Sequence, residues 1–408
     1  MDTTTAQDWA HFTPHLPEVI EDPYPAFRWL RANAPVFYVE SEDIWVLSRF
    51  ADIQAAARDH GTFSQRESVG YSRAGGGLGL TSLDPPHHTE MRRLTAALFS
   101  PRAVQEHLPQ AMSVLDHLLD TTFATSGAIN IAEAVANPYL STVVGDLMGV
   151  PVEDRLRVKD GATAGSLAMA GDYSPEVLAA VKDFGEYFRR FVVERGEALA
   201  AGECPAGPFS NKIFERCPNG YEPSFDERVT YETLLATGGN ETTAQLLSNL
   251  VILLAEQPGI LERLRAEAQL RPAAVEEVLR YISPVPGLFR HTTRAVTIPG
   301  ATRVIPAGAK VLLMYGSGNH DEARYDRADE FVIDRFPRGF ADADHLSFTT
   351  GIHVCLGAHL ARLLIDVFLE RFAARVRSIS IRGPIVRSHN ALVRVIEKLP
   401  ARLEPLVP

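Results

Sequence analysis

Cys355 has the strongest claim to chemistry in this chain. It stands in Phe348-Thr349-Thr350-Gly351-Ile352-His353-Val354-Cys355-Leu356-Gly357, which runs directly into the helical pattern Ala358-His359-Leu360-Ala361-Arg362. A cysteine at the N-terminal end of a helix meets unpaired amide donors and the positive end of the dipole, and both favour the thiolate. An isolated buried cysteine at such a junction is ordinarily structural, so the flanking pattern decides its weight. Two further constellations stand upstream. Glu277-Val278-Leu279-Arg280 sets acid and base at i,i+3, a spacing that usually makes a solvated pair worth a few tenths of a kcal/mol. Gly238-Gly239-Asn240-Glu241-Thr242-Thr243 puts two glycines, a carboxylate and a hydroxyl inside a predicted helix. Each interior glycine costs about 1 kcal/mol relative to alanine, which is tolerated where close approach or a kink is useful. The plain alternative has Thr242 bonding back to the preceding turn and Glu241 in a surface pair.

Other chemistries lack support. The three cysteines, Cys204, Cys217 and Cys355, are an odd number spread thinly, not a disulfide framework. No C-x-x-C, H-E-x-x-H or G-x-x-x-x-G-K-[ST] occurs, and Gly316-Ser317-Gly318 lacks the nucleophile-elbow spacing. His87-His88 without further ligands is weak evidence for a metal.

The elements that must position these residues are mainly helical. Apolar periodicity of 3.6 dominates over 85–268 and returns over 272–281 and 356–372. The helix carrying Gly238 starts at the capping box Ser224-Phe225-Asp226-Glu227 and runs to Glu256 before Pro258, roughly 48 Å at 1.5 Å per residue. Strand patterns fall at 36–39, 44–47, 295–298, 310–314 and 379–381, and 74–80 and 202–221 read as loops. The 408 residues, 46% apolar and 22% charged, are expected to make one domain over 1–408, with 1–21 a loosely packed N-terminal segment. The net charge of −11 argues against broad nucleic-acid binding. A polar start and the lack of any run near 20 apolar residues point to a cytoplasmic protein that does not enter a membrane.

The Cys355 signature, followed by a helix and preceded by the E-x-x-R and acid-threonine motifs, resembles the soluble bacterial cytochrome P-450 (haem-thiolate monooxygenase) family, from about Asp22 to the C-terminus. The resemblance implies a mainly α fold with a minor β region and haem b between the Gly238 helix and the Cys355 loop. Cys355 would then be the axial ligand of the haem iron, in a loop that includes Phe348, with Gly351 and Gly357 letting backbone approach the sulfur and porphyrin. Glu277 and Arg280 would be a buried pair that fixes the cysteine loop. His88, Arg92, Arg290 and His353 would hold the haem propionates, since buried carboxylates need cationic donors. Glu241 would be the acid and Thr242 the alcohol of proton delivery, on different helix faces about 100° apart.

The chain departs from the family pattern twice. Ala328-Asp329-Glu330-Phe331 stands where a Pro-x-Arg/His-Phe stretch supplies a third partner to the E-x-x-R, which leaves the role of Glu330 open. Thr349 stands where glycine is usual. The resemblance places the pocket in 66–80, 167–173, 285–289 and 390–392 together with Leu234, with Leu78, Leu235, Gly238, Val285, Leu288 and Leu392 as lining, and Arg66 or Arg73 available to a carboxylate. A small, largely hydrophobic or aromatic substrate follows. With no flavin or iron-sulfur signature, electrons are expected from NAD(P)H through a separate ferredoxin and ferredoxin reductase docking near Arg92, Arg93, Arg102 and Arg362. The alternative is a non-oxygenating haem protein, an isomerase, dehydratase or ligand carrier on the same scaffold.

Overall fold

The computed structural model describes residues 9–67, 69–71, 79–216, 220–299 and 301–406. Its organising element is the helix Phe225–Glu256, whose Ser224 side chain accepts from the Glu227 amide while Glu227 reaches back to the Ser224 amide. Both reciprocal bonds satisfy donors that a helix start leaves orphaned. The Gly238-Gly239 pair does not break this helix. An added Cβ on Gly239 would press to 3.1 Å from Val144 on the helix Asn137–Met148, whereas one on Gly238 would meet only Leu234 at 4.0 Å. One glycine therefore admits a neighbouring helix, and the other leaves space beside the helix.

Around the central helix pack Asn137–Met148, Arg155–Met169, Pro175–Ala200, Arg271–Ile282 and Ala358–Arg375, which share one large apolar core. The β region is a five-stranded sheet in the order Val36–Val39, Ile44–Leu47, Lys310–Leu313, Leu288–Thr292, Phe63–Ser64. Only Ile44–Leu47 with Lys310–Leu313 is parallel. The expected strand at 295–298 is reduced to a single bridge, Val296 to Ile305. The strand Leu288–Thr292, not anticipated, is central to the site. Because side chains alternate along a strand, Leu288 and Arg290 share one face while Phe289 and His291 take the other. A second sheet joins Ile129–Asn130, Pro400–Pro405 and Val376–Ile381, tying the C-terminal segment to the helical core.

The N-terminal segment is not loose where it is described. Trp9, Phe12 and Val19 are buried in a cluster with Phe27, Leu30 and Phe289, since two aromatic rings there have an apolar sheet face to cover. No single helix among the described residues is long and apolar enough to cross a membrane. A bent pair, Phe225–Glu256 with Gly259–Ala266 at 96°, matches by length and composition only, and both members are core helices.

Candidate active site

The Cys355 loop is anchored before its chemistry is considered. The Cys355 amide donates to the Phe348 carbonyl at 3.0 Å, closing the loop, and the helix Ala358–Arg375 starts three residues after the cysteine. Thr349 adopts φ +54°, a left-handed conformation that strains a β-branched residue, and its hydroxyl donates to the Tyr315 hydroxyl at 3.2 Å. The loop thus keeps a turn suited to glycine, with a side-chain bond as partial compensation. Gly351, at φ +80°, has a different role from the one expected. A Cβ there would lie 2.7 Å from the Ala57 carbonyl, so its close approach is to the helix Phe50–Arg58 and not to the sulfur. Gly357 does stand beside the sulfur, with a Cβ position 4.0 Å away.

The sulfur is solvent-accessible yet deep in the protein, because its exposed surface is the wall of an internal cavity of about 290 Å³. Burial pushes the Cys355 thiol up, and the Gly357 amide, Arg92 and Arg362 oppose that push without reversing it. The Gly357 amide thus favours the thiolate, as the helix-end position implies, without outweighing burial. A bound cation of iron's charge deprotonates a coordinating thiol outright.

Three bases, His88, Arg92 and His353, line one edge of this cavity, and Arg290 reaches it through Gln65. The rings of His88 and His353 lie 4.6 Å apart. Gln65, oriented with its oxygen toward Arg290, accepts from that guanidinium and donates to His353 Nδ1 at 2.8 Å. Arg92 lines the cavity and makes no hydrogen bond or ion pair among the described residues, and His88 Nε2 is buried without a partner. Burial, then the neighbouring His353 and Arg92, push His88 down to about 4. Among the described residues the acid close by is Asp84, 3.9 Å from His353 Nε2 and bonded to Ser64. Such an excess of buried, under-bonded donors suits a ligand with two carboxylates, as haem has.

Across the cavity stands the central helix, presenting Leu234, Leu235, Gly238, Thr242 and Leu246. Thr242 Oγ1 donates to the Gly238 carbonyl at 2.8 Å. Glu241 turns away from the cavity, accepting from Thr163 Oγ1 at 2.9 Å and Gln245 Nε2 at 3.3 Å. Burial raises Glu241, partly opposed by Thr163, Lys159 and Gln245.

A family model described as Cytochrome P450 matches residues 15–377. The chain belongs to the cytochrome P450 family. It is 32% identical over 405 residues to the beta-dihydromenaquinone-9 omega-hydroxylase of Mycobacterium tuberculosis, covering 97% of this chain and 79% of that one. Two solved P450 structures share its fold. That of CYP109Q5 from Chondromyces apiculatus has a TM-score of 0.84 at 28% identity, covering 98% of this chain and 100% of the other. That of CYP109E1 from Bacillus megaterium in complex with testosterone has a TM-score of 0.83 at 28% identity, covering 96% and 99%. The protein is a P450 monooxygenase with haem b as cofactor.

Within the P450 fold, the Glu277-Arg280 pair is fully buried, with bonds of 2.7 and 2.8 Å. Its third partner is Arg335, whose Nε lies 3.0 and 3.1 Å from the two Glu277 oxygens. Glu330 contributes only its carbonyl to Arg280, at 2.9 Å, and its side chain pairs with Arg327. The family's Arg-Phe step is thus Arg335-Phe336, five residues beyond the stretch chosen from sequence, and that dipeptide was the signal available. Nor does the pair bind the cysteine loop directly. Arg280 donates to the carbonyls of Asn319 and Ala328, and Asn319 in turn holds Leu346 N and Ser347 Oγ at 2.6 and 2.9 Å.

Of the expected lining, Leu235, Gly238, Val285 and Leu288 face the cavity, as do Leu234 and Leu80. Leu392 is instead buried among Trp9, Phe27 and Phe289, because Asn390 turns its segment toward the N-terminal cluster by accepting from the Leu392 and Val393 amides. Residues 167–173 and Arg66 do not line the cavity either, and Leu78 and Arg73 lie outside the described residues. Among the bases expected to receive an electron donor, Arg362 is largely buried against Glu276 and Arg92 faces the cavity. Arg93 and Arg102 are exposed, Arg93 with Glu90 3.3 Å away.

Proposed function

We propose that Cys355 is the axial ligand of the haem iron and that His88, Arg92, Arg290 and His353 hold the propionates, with Gln65 aligning two of them. The observation that carries this reading is a single cavity lined by a cysteine sulfur, three bases with Arg290 bonded behind them through Gln65 and, on its far wall, a hydroxyl. Haem with thiolate ligation supplies oxygen activation when bound. The chain's own residues supply the setting. Thr242 spends its proton on the Gly238 carbonyl and keeps its lone pairs for ordering water in the cavity. Glu241, raised by burial, keeps a proton at a pH where an ordinary carboxyl has lost it, and Thr163 links it toward Lys159 on the helix Arg155–Met169.

The substrate is a largely hydrophobic organic molecule, one oxygen atom of O2 being inserted into it. The walls formed by Leu80, Leu234, Leu235, Val285 and Leu288 support that class, as do the relative named for a menaquinone and the structure holding testosterone. Electrons come from NAD(P)H through a separate ferredoxin and ferredoxin reductase in the cytoplasm, with Arg93 and Arg102 the exposed bases for docking. The chain works as one domain over 1–408, in keeping with the pairing of Pro400–Pro405 to Val376–Ile381. A panel of apolar compounds, neutral and acidic, titrated into the ferric protein tests the substrate class. Neutral apolar compounds are expected to shift the spin state, and a response confined to acids would overturn it.

A further inference from the structure

Glu276, immediately before the E-x-x-R, is absorbed by none of the roles above, yet it is 2% exposed in the helix Arg271–Ile282. Successive helical residues point about 100° apart, so Glu276 and Glu277 serve different neighbours. Glu277 holds the segment that carries Arg335 and Val332. Glu276 faces the cysteine loop and grips it at both ends. Ahead of the loop, His345 Nε2 lies 3.0 Å from Glu276 Oε2, while His345 Nδ1 accepts from the Ser347 amide at 3.4 Å, so the ring is the Nε2–H tautomer. Behind the loop, Arg362 donates to Glu276 Oε1 and Oε2 at 2.7 and 2.8 Å, a bidentate pair. The Arg362 guanidinium is further pinned over the rings of Phe340 and Phe348, 4.5 and 4.7 Å from their centroids, and Phe348 is the residue whose carbonyl receives the Cys355 amide.

We propose that Glu276 is a positioning residue that sets the electrostatic field at the Cys355 sulfur, by fixing the Arg362 cation beside it and partly cancelling that cation's charge. The proposal rests on Cys355 being the haem ligand. Arg362 acts favourably on the charged sulfur. Burial alone would raise Glu276, but His345 and Arg362 more than offset it, so Glu276 stays ionised, whereas burial keeps His345 neutral. The unit is therefore one anion and one cation with a neutral imidazole between anion and loop. Groups around a metal's ligands tune its potential through charge and hydrogen bonding, which gives the two charges opposite signatures. Removing the anion leaves the cation uncompensated and favours the more negative, reduced site. Removing the cation leaves a buried anion and disfavours it.

The test is the ferric/ferrous reduction potential of the haem-loaded protein, read spectroscopically beside the carbon monoxide band. Glu276→Gln is expected to shift the potential upward, Arg362→Gln downward, and the double variant back toward wild type, while Glu276→Asp and Arg362→Lys stay close to it. If the single variants shift the same way, or retain haem with an unchanged potential, Glu276 is only a structural clamp and the proposal is overturned. If Glu276→Gln loses haem, Arg362→Gln and the double variant decide it, since the field argument still requires a downward shift and its reversal. A wild-type protein without the far-red thiolate band would instead overturn the ligand assignment itself.

Discussion

Behind Cys355 buried charges are matched by partners: Glu277 with Arg280 and Arg335, Glu276 with Arg362 and His345. Across the cavity, the helix Phe225–Glu256 buries Glu232 Oε1, Thr237 Oγ1 and Asn240 Oδ1 with no protein partner among the described residues. The two walls face the same space but solve different problems. A matched, bidentate network has few alternative arrangements, which suits a loop that must hold one sulfur in one place. Unmatched polar atoms must find water or stay protonated, which suits a wall beside which water and protons move.

The largest effect expected on the cysteine side is the loss of the thiolate itself. Cys355→Ser should abolish the far-red-shifted Soret band of the reduced carbon monoxide complex that is expected of the wild type. A variant that kept the band would remove Cys355 from the iron. Next comes the matched network. Glu277→Gln leaves Arg280 and Arg335 without their carboxylate, and breaking a buried pair by removing one partner costs about 3–5 kcal/mol. Chemical denaturation should show that loss, with haem release preceding global unfolding. A cost below 1 kcal/mol would mean that the carbonyls of Asn319, Ala328 and Glu330 suffice to hold Arg280, and the contrast between the walls would weaken.

These same residues show what can be read without a structure. Cys355, Glu277 and Arg280 stood out through the motif spacing that carries the family resemblance, and the four bases were named only because the resemblance places bases at those positions. Arg335 was missed because Asp329-Glu330-Phe331 and Asp334-Arg335-Phe336 are near repeats, and only the fold shows which reaches Glu277. Gln65 and Glu276 carry no local signal, a glutamine at a strand end and an acid beside a more famous one. Leu392 and residues 167–173 were misplaced for a different reason, since resemblance to the family's pocket-lining segments does not tell which of two adjoining cavities or cores a side chain enters. The strand Leu288–Thr292 was overlooked because its alternation includes Arg290 and His291, polar residues that are nonetheless buried here.

On the central-helix side, the expected effects are kinetic. Thr242→Ala should leave haem and substrate binding intact but divert reducing equivalents to hydrogen peroxide, measured as product formed per NAD(P)H consumed. Full coupling would remove Thr242 from the mechanism. Glu241→Gln should slow turnover by about 10²-fold, the lower range for a positioned acid or base, with a larger solvent isotope effect and no rise in peroxide. If both variants instead gave the same defect, the separation of the two side chains onto different helix faces would have no functional meaning.

The smallest expected effect lies about two and a half turns before Glu241, at Glu232. It is fully buried, accepts from Ser210 Oγ at 2.6 Å through one oxygen, and leaves the other without a partner. Burial pushes it up to about 7, with Ser210 and Arg195 opposing. Because the folded pKa lies above the unfolded one, the native state binds the proton more tightly. The contribution of Glu232 to stability is therefore greatest at low pH, falls as pH rises from about 4.5 toward 7, and is flat above that. The whole span is at most about 3 kcal/mol, and less once water and local relaxation screen the charge. Glu232→Gln removes the ionisation and keeps an oxygen for Ser210, so it should stabilise the protein at pH 8 and do little at pH 5, as read by denaturant midpoints at the two values. A substitution equally neutral at both would show that water already pairs the free oxygen. A loss at pH 8 would show that Arg195 holds Glu232 ionised as a matched pair, and the central helix would then be built like the wall behind Cys355.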